Sequence, residues 1–276
     1  MNMQQQNPQL TVPVEPSFGL DHALTSTRFV LVEPSHPGNV GAAARALKTM
    51  GLLRLVLVKP QQPNILKHPD ALALASGAQD VLAAAEITDS LEAALSGVQW
   101  SVALSARPRG YSPPILTPRS AAQQARLVAA QGEVAYIFGN ERAGLSNADV
   151  ERCNALVHIP ANPVYSSLNL AQAVQVLAYE LRTTLLSDGD AQTHTPTLAH
   201  GLSVSALATN NEVEQMFTHL QSALIALDFL RPAQPKKLMP RLRRLFARTA
   251  LEREEVNILR GIAKRIIWQA KSREQG

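Results

Sequence analysis

Three short segments concentrate the glycines and polar side chains that could hold or transform a ligand. In the first, Glu33-Pro-Ser-His-Pro-Gly-Asn-Val-Gly-Ala-Ala-Ala-Arg45, an extended run turns into a helix. Gly38 and Gly41 allow close backbone approach at that helix N-terminus, where free N–H groups and the dipole favour an anion such as phosphate. Arg45 follows Gly41 by four residues and so can share its face. The plainer alternative is a glycine-containing turn that opens a core helix. In the second segment, Phe138-Gly-Asn-Glu-Arg-Ala-Gly-Leu-Ser146, Gly139 and Gly144 permit a tight loop that offers backbone groups to a flat ligand. Ser146 and Asp149 have the spacing of a helix cap. Glu141 and Arg142, taken alone, read equally well as a surface ion pair. The third segment, Ile159-Pro-Ala-Asn-Pro-Val-Tyr-Ser-Ser-Leu-Asn-Leu170, gathers Ser166, Ser167 and Asn169 at a helix start, two polar groups more than one N-cap uses.

The elements that must position these segments form an alternating pattern. β-Branched runs at RFVLVE from Arg28, LRLVLV, WSVALS near Trp100, VAYIFG near Tyr136 and ALVHIP near Val157 read as strands. Helical patterns lie between them, over about Asn39 to Met50, Asp89 to Leu95, Arg119 to Ala130 and Leu168 to Leu186. Strands apolar along their whole length, alternating with helices, predict an α/β fold: a parallel sheet flanked by helices on both faces. Ligands in such sheets sit at the carboxyl ends of the strands, where all three segments fall. Residues 27–187 are expected to form this domain, and 188–210, rich in Asp, Gly, Thr and Pro, a linker. A helical extension over 211–276 follows. Its apolar stripes are Val213, Met216, Phe217, Leu220, Leu224 and Leu227; then Leu238, Leu242, Leu245 and Phe246; then Val256, Leu259, Ile262, Ile266 and Ile267.

Composition narrows the classes. Of 276 residues 46% are apolar and 17% charged, so most of the chain should fold, and no run approaches the roughly 18 apolar residues of a membrane span. The start of the chain lacks the basic and apolar regions of a signal peptide, which predicts a polar, disordered extension over residues 1–26. Cys153 is the single cysteine; it excludes an internal disulfide, fits a cytoplasmic location and reads as a packing residue. The seven histidines show no metal-ligand spacing, so no metal is expected. Charge is divided unevenly: residues 231–276 hold 13 Lys+Arg against 4 Asp+Glu, a net +9, which leaves 13 against 18, a net −5, for the first 230. Such a tail either attracts a polyanion, most often nucleic acid, or is a solvated helix face.

Taken in order, Asn39-x-Gly-x-x-x-Arg45, Gly139-Asn-Glu-Arg-x-Gly-Leu145 and Ile159-Pro…Ser167-Leu-Asn169 resemble the three motifs of the SpoU branch of the SPOUT RNA 2′-O-ribose methyltransferases. Within that branch HPGNVGAAARALKTMGL, ANPVYSSLNLAQAVQVLAYE and KLMPRLRRLF…EEVNILRGI are similar to the TrmJ-type tRNA methyltransferases, from Arg28 to about Trp268. The N-terminal extension and the QQPNILKHPD stretch depart from the pattern without touching a motif.

The resemblance implies a sheet whose C-terminal part is threaded as a deep trefoil knot, a homodimer with its site near the subunit interface, and S-adenosylmethionine as methyl donor. It places the cofactor at Leu104, Ser105, Ala106, Gly139, Ile159, Ser166, Ser167 and Leu168. It implies methylation of the ribose 2′-oxygen at nucleotide 32, a cytidine or uridine, in the tRNA anticodon loop. Arg45, Asn39, Ser167, Glu141 and Asn169 are the candidate catalytic residues. A guanidinium stays protonated, so Arg45 suits holding a phosphate or stabilising an alkoxide better than acting as base. Tyr165 reads either as a base-stacking residue or as a half-buried packing one. Lys236, Lys237, Arg241, Arg243, Arg244 and Arg248 would clamp tRNA through its phosphates. Two rivals remain. A non-catalytic RNA-binding protein explains the basic tail but leaves the Gly139 loop and the Ser166 to Asn169 cluster without purpose. A nicotinamide-dependent oxidoreductase needs an acidic residue where the second strand instead ends Val58-Lys59-Pro60.

Overall fold

A computed structural model of the protein describes residues 18–106, 112–187, 207–233 and 236–274. Its first part alternates helix and strand: α1 (Phe18–Thr25), β1 (Thr27–Val32), α2 (Pro37–Thr49), β2 (Arg54–Val58), a 3₁₀ turn (Ile65–Lys67), α3 (Pro69–Ala75), α4 (Gln79–Ala83) and β3 (Glu86–Thr88). It continues through α5 (Leu91–Ala94), β4 (Val98–Leu104), β5 (Ile115–Leu116), α6 (Pro118–Ala129), β6 (Glu133–Phe138), α7 (Asn147–Glu151), β7 (Ala155–Val157) and α8 (Leu170–Leu186). Then come α9 (Asn210–Ala226), α10 (Leu238–Phe246) and α11 (Arg253–Glu274).

The seven strands form one sheet in the order β3-β2-β1-β6-β4-β7-β5, and every pairing is parallel. β1 is buried at all six positions, the whole-length burial that its continuous apolar run predicts. Alternate strand residues feed two apolar layers. Phe29, Leu31, Tyr136 and Phe138 face α2, α6 and α8, whereas Val30, Val32, Ala135 and Ile137 face α5 and α7. Phe29 stacks on Tyr136 and Phe138 at centroid separations of 5.0 and 5.7 Å, which fixes β1 against β6 at the centre of the sheet. Cys153 lies buried in the second layer, and burial pushes its thiol up to about 12, which leaves it an inert packing group.

Two sequence readings need correction. The disordered extension was expected to run to residue 26, but Phe18–Thr25 form a helix, because Ala23 and Leu24 bury themselves against the core and Ser26 and Thr27 tie back to α1; residues 1–17 lie outside the described residues. Gly41 does not wait for a ligand. A Cβ there would lie 2.1 Å from the Ala71 carbonyl oxygen, so this glycine lets α3 press against α2.

Helices α9, α10 and α11 build a small core of their own from Met216, Phe217 and Val256, with Val213, Leu220, Leu242 and Phe246 around it. Leu227, Leu245 and Ile262, expected in the stripes, are instead exposed, Leu227 because α9 has already ended. The bulk of the expected linker lies outside the described residues, but Leu207 and Ala208 are buried and Leu207 bridges to Glu252. The helical unit docks at the amino-terminal side of β4 and β7: Asn210 Nδ2 donates to the Arg152 carbonyl at 3.0 Å and Asn211 Nδ2 to Ser96 Oγ at 3.2 Å.

Candidate active site

The carboxyl ends of β1, β4, β6 and β7 open onto a hollow of about 470 Å³. Its lining joins His36 and Asn39 from the turn into α2, Leu104 to Ala106 after β4, Gly139 to Leu145 after β6, and Ile159 with Tyr165 to Asn169 after β7. Stretches distant in the chain therefore share one surface.

A hydrogen-bond chain links the three segments. The Glu141 carboxylate accepts from the Ser35 N–H at 3.0 Å, Ser35 Oγ at 2.8 Å, the His36 N–H at 3.2 Å and Asn39 Nδ2 at 3.0 Å. Asn39 Oδ1 in turn accepts from Asn169 Nδ2 at 2.8 Å. Asn169 Oδ1 caps α8 by accepting from the Ala171 and Gln172 N–H groups, in a capping box with Gln172. Burial works to raise the Glu141 carboxyl, but donation from Asn39 and Ser35 outweighs it and holds the group below the ordinary carboxylate value. A carboxylate so engaged is a fixed anchor and a poor proton acceptor. The ion pair with Arg142, left open by the sequence, is thus replaced by an anchoring role.

The loop after β6 is equally constrained. Asn140 Nδ2 donates to the Glu33 carbonyl at 2.7 Å, while Asn140 Oδ1 accepts from the Arg142 and Ala143 N–H groups. A Cβ on Gly139 would stand 2.2 Å from Gly144 C and from Leu145 N, so only glycine lets the loop fold back on itself. Gly144 itself has φ +69°, the left-handed region. The loop after β4 is held to β7, with the Ser105 N–H donating to the Val157 carbonyl at 3.1 Å and His158 Nδ1 3.2 Å from the Ser105 carbonyl oxygen. Ser166 and Ser167 line the hollow, and the α8 cap falls to Asn169.

With this geometry in place, comparison with known proteins is informative. Residues 26–179, more than half of the chain, match the SpoU rRNA methylase family. The chain belongs to the SpoU methylase family. Residues 211–276 match a second model, the C-terminal domain of the tRNA methyltransferase TrmJ. A Pseudomonas aeruginosa protein named tRNA (cytidine/uridine/adenosine-2′-O-)-methyltransferase TrmJ is 48% identical over 241 residues, 87% of this chain and 93% of that protein. A Salmonella typhimurium tRNA (cytidine/uridine-2′-O-)-methyltransferase TrmJ is 44% identical over 255 residues, covering 91% and 100%. Among solved structures, TrmJ from Z. mobilis superposes with a TM-score of 0.72 at 32% identity, over 87% of this chain and 98% of that one.

Set against this SpoU methylase fold, the expected residues divide. Leu104, Ser105, Ala106, Gly139, Ile159, Ser166, Ser167, Leu168, Asn39, Glu141 and Asn169 all line the hollow. Arg45 does not: it is exposed on α2, beyond Gly41, whose own face is covered by α3. Tyr165 is 80% exposed, which removes the half-buried packing alternative. Of the basic residues, Lys236, Lys237, Arg241, Arg244 and Arg248 are exposed. Arg243 is committed elsewhere, with Nη1 and Nη2 on Glu214 at 2.5 and 2.9 Å and its guanidinium 4.3 Å above the Phe217 ring. Sequence reasoning assigns no role to Ser35 or Asn140 and takes His36, beside the first motif, for a structural or solvated loop residue; the structure ties His36 to Glu141 only through its backbone N–H. The signal that could have found Ser35 is Ser-His-Pro before a helix, whose backbone N–H groups need an acceptor. Among the described residues no group of three or more His, Cys, Asp or Glu could hold a metal ion, and no helix is long and apolar enough to cross a membrane.

Proposed function

We propose that this SpoU methylase transfers a methyl group from S-adenosylmethionine to the ribose 2′-oxygen of nucleotide 32, a cytidine or uridine, in the anticodon loop of tRNA. The observation that carries the reading is the convergence of the Asn39, Glu141 and Ser167 segments on one hollow through the Glu141, Asn39 and Asn169 hydrogen bonds. Relatives at 44–48% identity named as tRNA 2′-O-methyltransferases support the substrate class.

The hollow fits the methyl donor. Its size is that of ordinary small-molecule clefts, and its lining combines the apolar Leu104, Ile159 and Leu168 with the small residues Ser105, Ala106, Gly139 and Ser166, whose backbone groups can meet an adenosyl group. When bound, S-adenosylmethionine supplies an electrophilic sulfonium methyl. The chain's own contribution is positioning, since aligning two reactants removes much of such a barrier. Asn39 and Asn169 orient polar groups at the mouth, Ser167 touches the cofactor, and Glu141 holds the loop that carries Gly139. Arg45 is exposed on α2 outside the hollow; we assign its guanidinium to holding a phosphate of the RNA or steadying the developing alkoxide.

The same reading includes a homodimer in the cytoplasm and a trefoil knot; β7 inserts between β4 and β5, both made earlier in the chain, which supports the threading. Lys236, Lys237, Arg241, Arg244 and Arg248 clamp the tRNA backbone, while Arg243 braces α10 on α9. The test is methyl transfer to unmodified tRNA with mapping of the modified nucleotide, for the wild type and Arg45→Ala. Expected is 2′-O-methylation at nucleotide 32, lowered at least a hundredfold in the variant with cofactor affinity retained. Transfer to a base, or undiminished transfer by Arg45→Ala, overturns the proposal.

A further inference from the structure

The last helix carries a feature that neither the hollow nor the clamp uses. Trp268 on α11 is 55% exposed, an unusual place for the largest apolar side chain. Its ring has the Arg265 guanidinium 4.2 Å from its centroid. Helical spacing puts Lys264 four residues before it, Arg265 three before and Lys271 three after, so three cations surround one indole. Lys264, Arg265 and Lys271 are all exposed. From Val256 to Arg273 the helix carries Arg260, Lys264, Arg265, Lys271 and Arg273 and no acidic residue. Ile258 and Ile262 extend the outward apolar face, and a Cβ on Gly261 between them would meet nothing within 4 Å. The inward face is already satisfied by Val256 and Ala263.

An Arg265–Trp268 contact alone would be an ordinary helix-surface pair. It leaves unexplained why like charges crowd the same stretch with no acid to offset them, an arrangement that costs stability in isolation. Both costs vanish against a ligand that is anionic along its backbone and flat at intervals. Single-stranded nucleic acid is such a ligand: bases stack on exposed aromatic rings while neighbouring phosphates meet Lys and Arg. We infer that the outward face of α11 is a nucleobase-stacking site for an unpaired nucleotide of the RNA substrate, with the Trp268 ring face opposite Arg265 as platform, Arg265 backing the ring, and Lys264 and Lys271 on the flanking phosphates. The inference rests on the reading of the chain as an RNA methyltransferase and adds a second contact point to it.

The experiment uses the full chain, unmodified tRNA and a short single-stranded oligouridylate. Trp268→Ala should weaken tRNA binding about tenfold, the loss typical of one stacked base, and Trp268→Phe only about two- to threefold. Tryptophan fluorescence of the wild type should be quenched by tRNA and by the oligouridylate, and the quenching should be absent in Trp268→Phe, which leaves Trp100 as the only emitter. Lys264→Ala with Lys271→Ala should lower the salt slope of log K by about 1.5. S-adenosylmethionine affinity should stay unchanged in all variants. Binding by Trp268→Ala within twofold of wild type, or quenching that persists in Trp268→Phe, would overturn the stacking site. A fall in oligomeric state caused by Trp268→Ala would also overturn it, by showing that a second copy of the chain covers this face. Trp268-dependent RNA binding without any methyl transfer would refute the proposed reaction and leave the stacking site standing.

Discussion

Replacing Glu141 by glutamine preserves the side chain's shape and changes its hydrogen-bonding arithmetic. Four donors converge on the carboxylate, the Ser35 N–H and Oγ–H on Oε2 and the His36 N–H and Asn39 Nδ2 on Oε1. A glutamine offers one acceptor oxygen and an NH₂, so two of the four donors lose their partner and face another donor. Hydrogen bonds to a charged group contribute about 1.5–3 kcal/mol each, and one donor, the exposed His36 N–H, can turn to water. A loss of about 2 kcal/mol remains, a fall in Tm of roughly 4–8 °C for a chain of this size. The effect depends on pH in a defined direction. The native carboxyl titrates below its ordinary unfolded value, so its stabilisation is complete above that value and disappears as pH falls through the lower native one. The Tm gap between wild type and Glu141→Gln is therefore full at neutral pH and closes in acid. Calorimetric titration should show S-adenosylmethionine binding weakened about tenfold, because the Gly139 loop and Asn39 lose their common anchor. A variant melting within about 1 °C of wild type at pH 7, with unchanged cofactor affinity, would refute the anchoring role.

Two glycine substitutions test the packing argument, one in the loop after β6 and one on α2. Gly139→Ala puts a methyl group 2.2 Å from Gly144 C and Leu145 N, backbone atoms that cannot yield without opening the loop, so cofactor binding measured by calorimetry should fall more than tenfold. Gly41→Ala drives its Cβ against the Ala71 carbonyl and must push α3 away from α2; overpacking of about 3 kcal/mol would lower Tm by roughly 6–12 °C. A Gly41→Ala protein with wild-type Tm but impaired RNA binding would restore the anion-binding reading of this turn.

Much of the fold was legible because its strands are buried along their length. Phe29 to Val32, Leu55 to Val58 and Val134 to Phe138 are continuous apolar runs that admit few other readings. The two strands that escaped, β3 and β5, are the sheet's edges, three and two residues long, too short for any periodicity. The site was legible at the level of segments and illegible at the level of partners. Nothing in the spacing of Glu141 distinguishes a contact with Arg142 from one with Ser35, 106 residues away; the choice is made by β1 and β6 pairing side by side, which brings their carboxyl ends together. Gly41 shows the converse. A glycine at a helix start looks the same whether phosphate or another helix approaches it, and only the position of Ala71 decides.

The division of charge along the chain acquires a spatial meaning in the fold. The hollow opens at the carboxyl end of β4, at Leu104 to Ala106, whereas at the amino end of the same strand Gln99 and Trp100 share a second cavity with Phe217 and Arg243 of the helical unit. Five residues of extended strand separate the two, about 17 Å at 3.3 Å per residue. A mononucleotide cannot touch both, and a folded RNA can. The proposed function thus assigns chemistry to a rigid sheet end with a net-negative sequence behind it, and affinity to a separate basic unit whose Lys and Arg would contact phosphates without regard to sequence. On that proposal, selection among nucleotides arises where the two requirements meet, in RNAs that present a ribose to the hollow while their backbone lies along α10 and α11. The shape of the RNA, more than its sequence, is what such an arrangement measures.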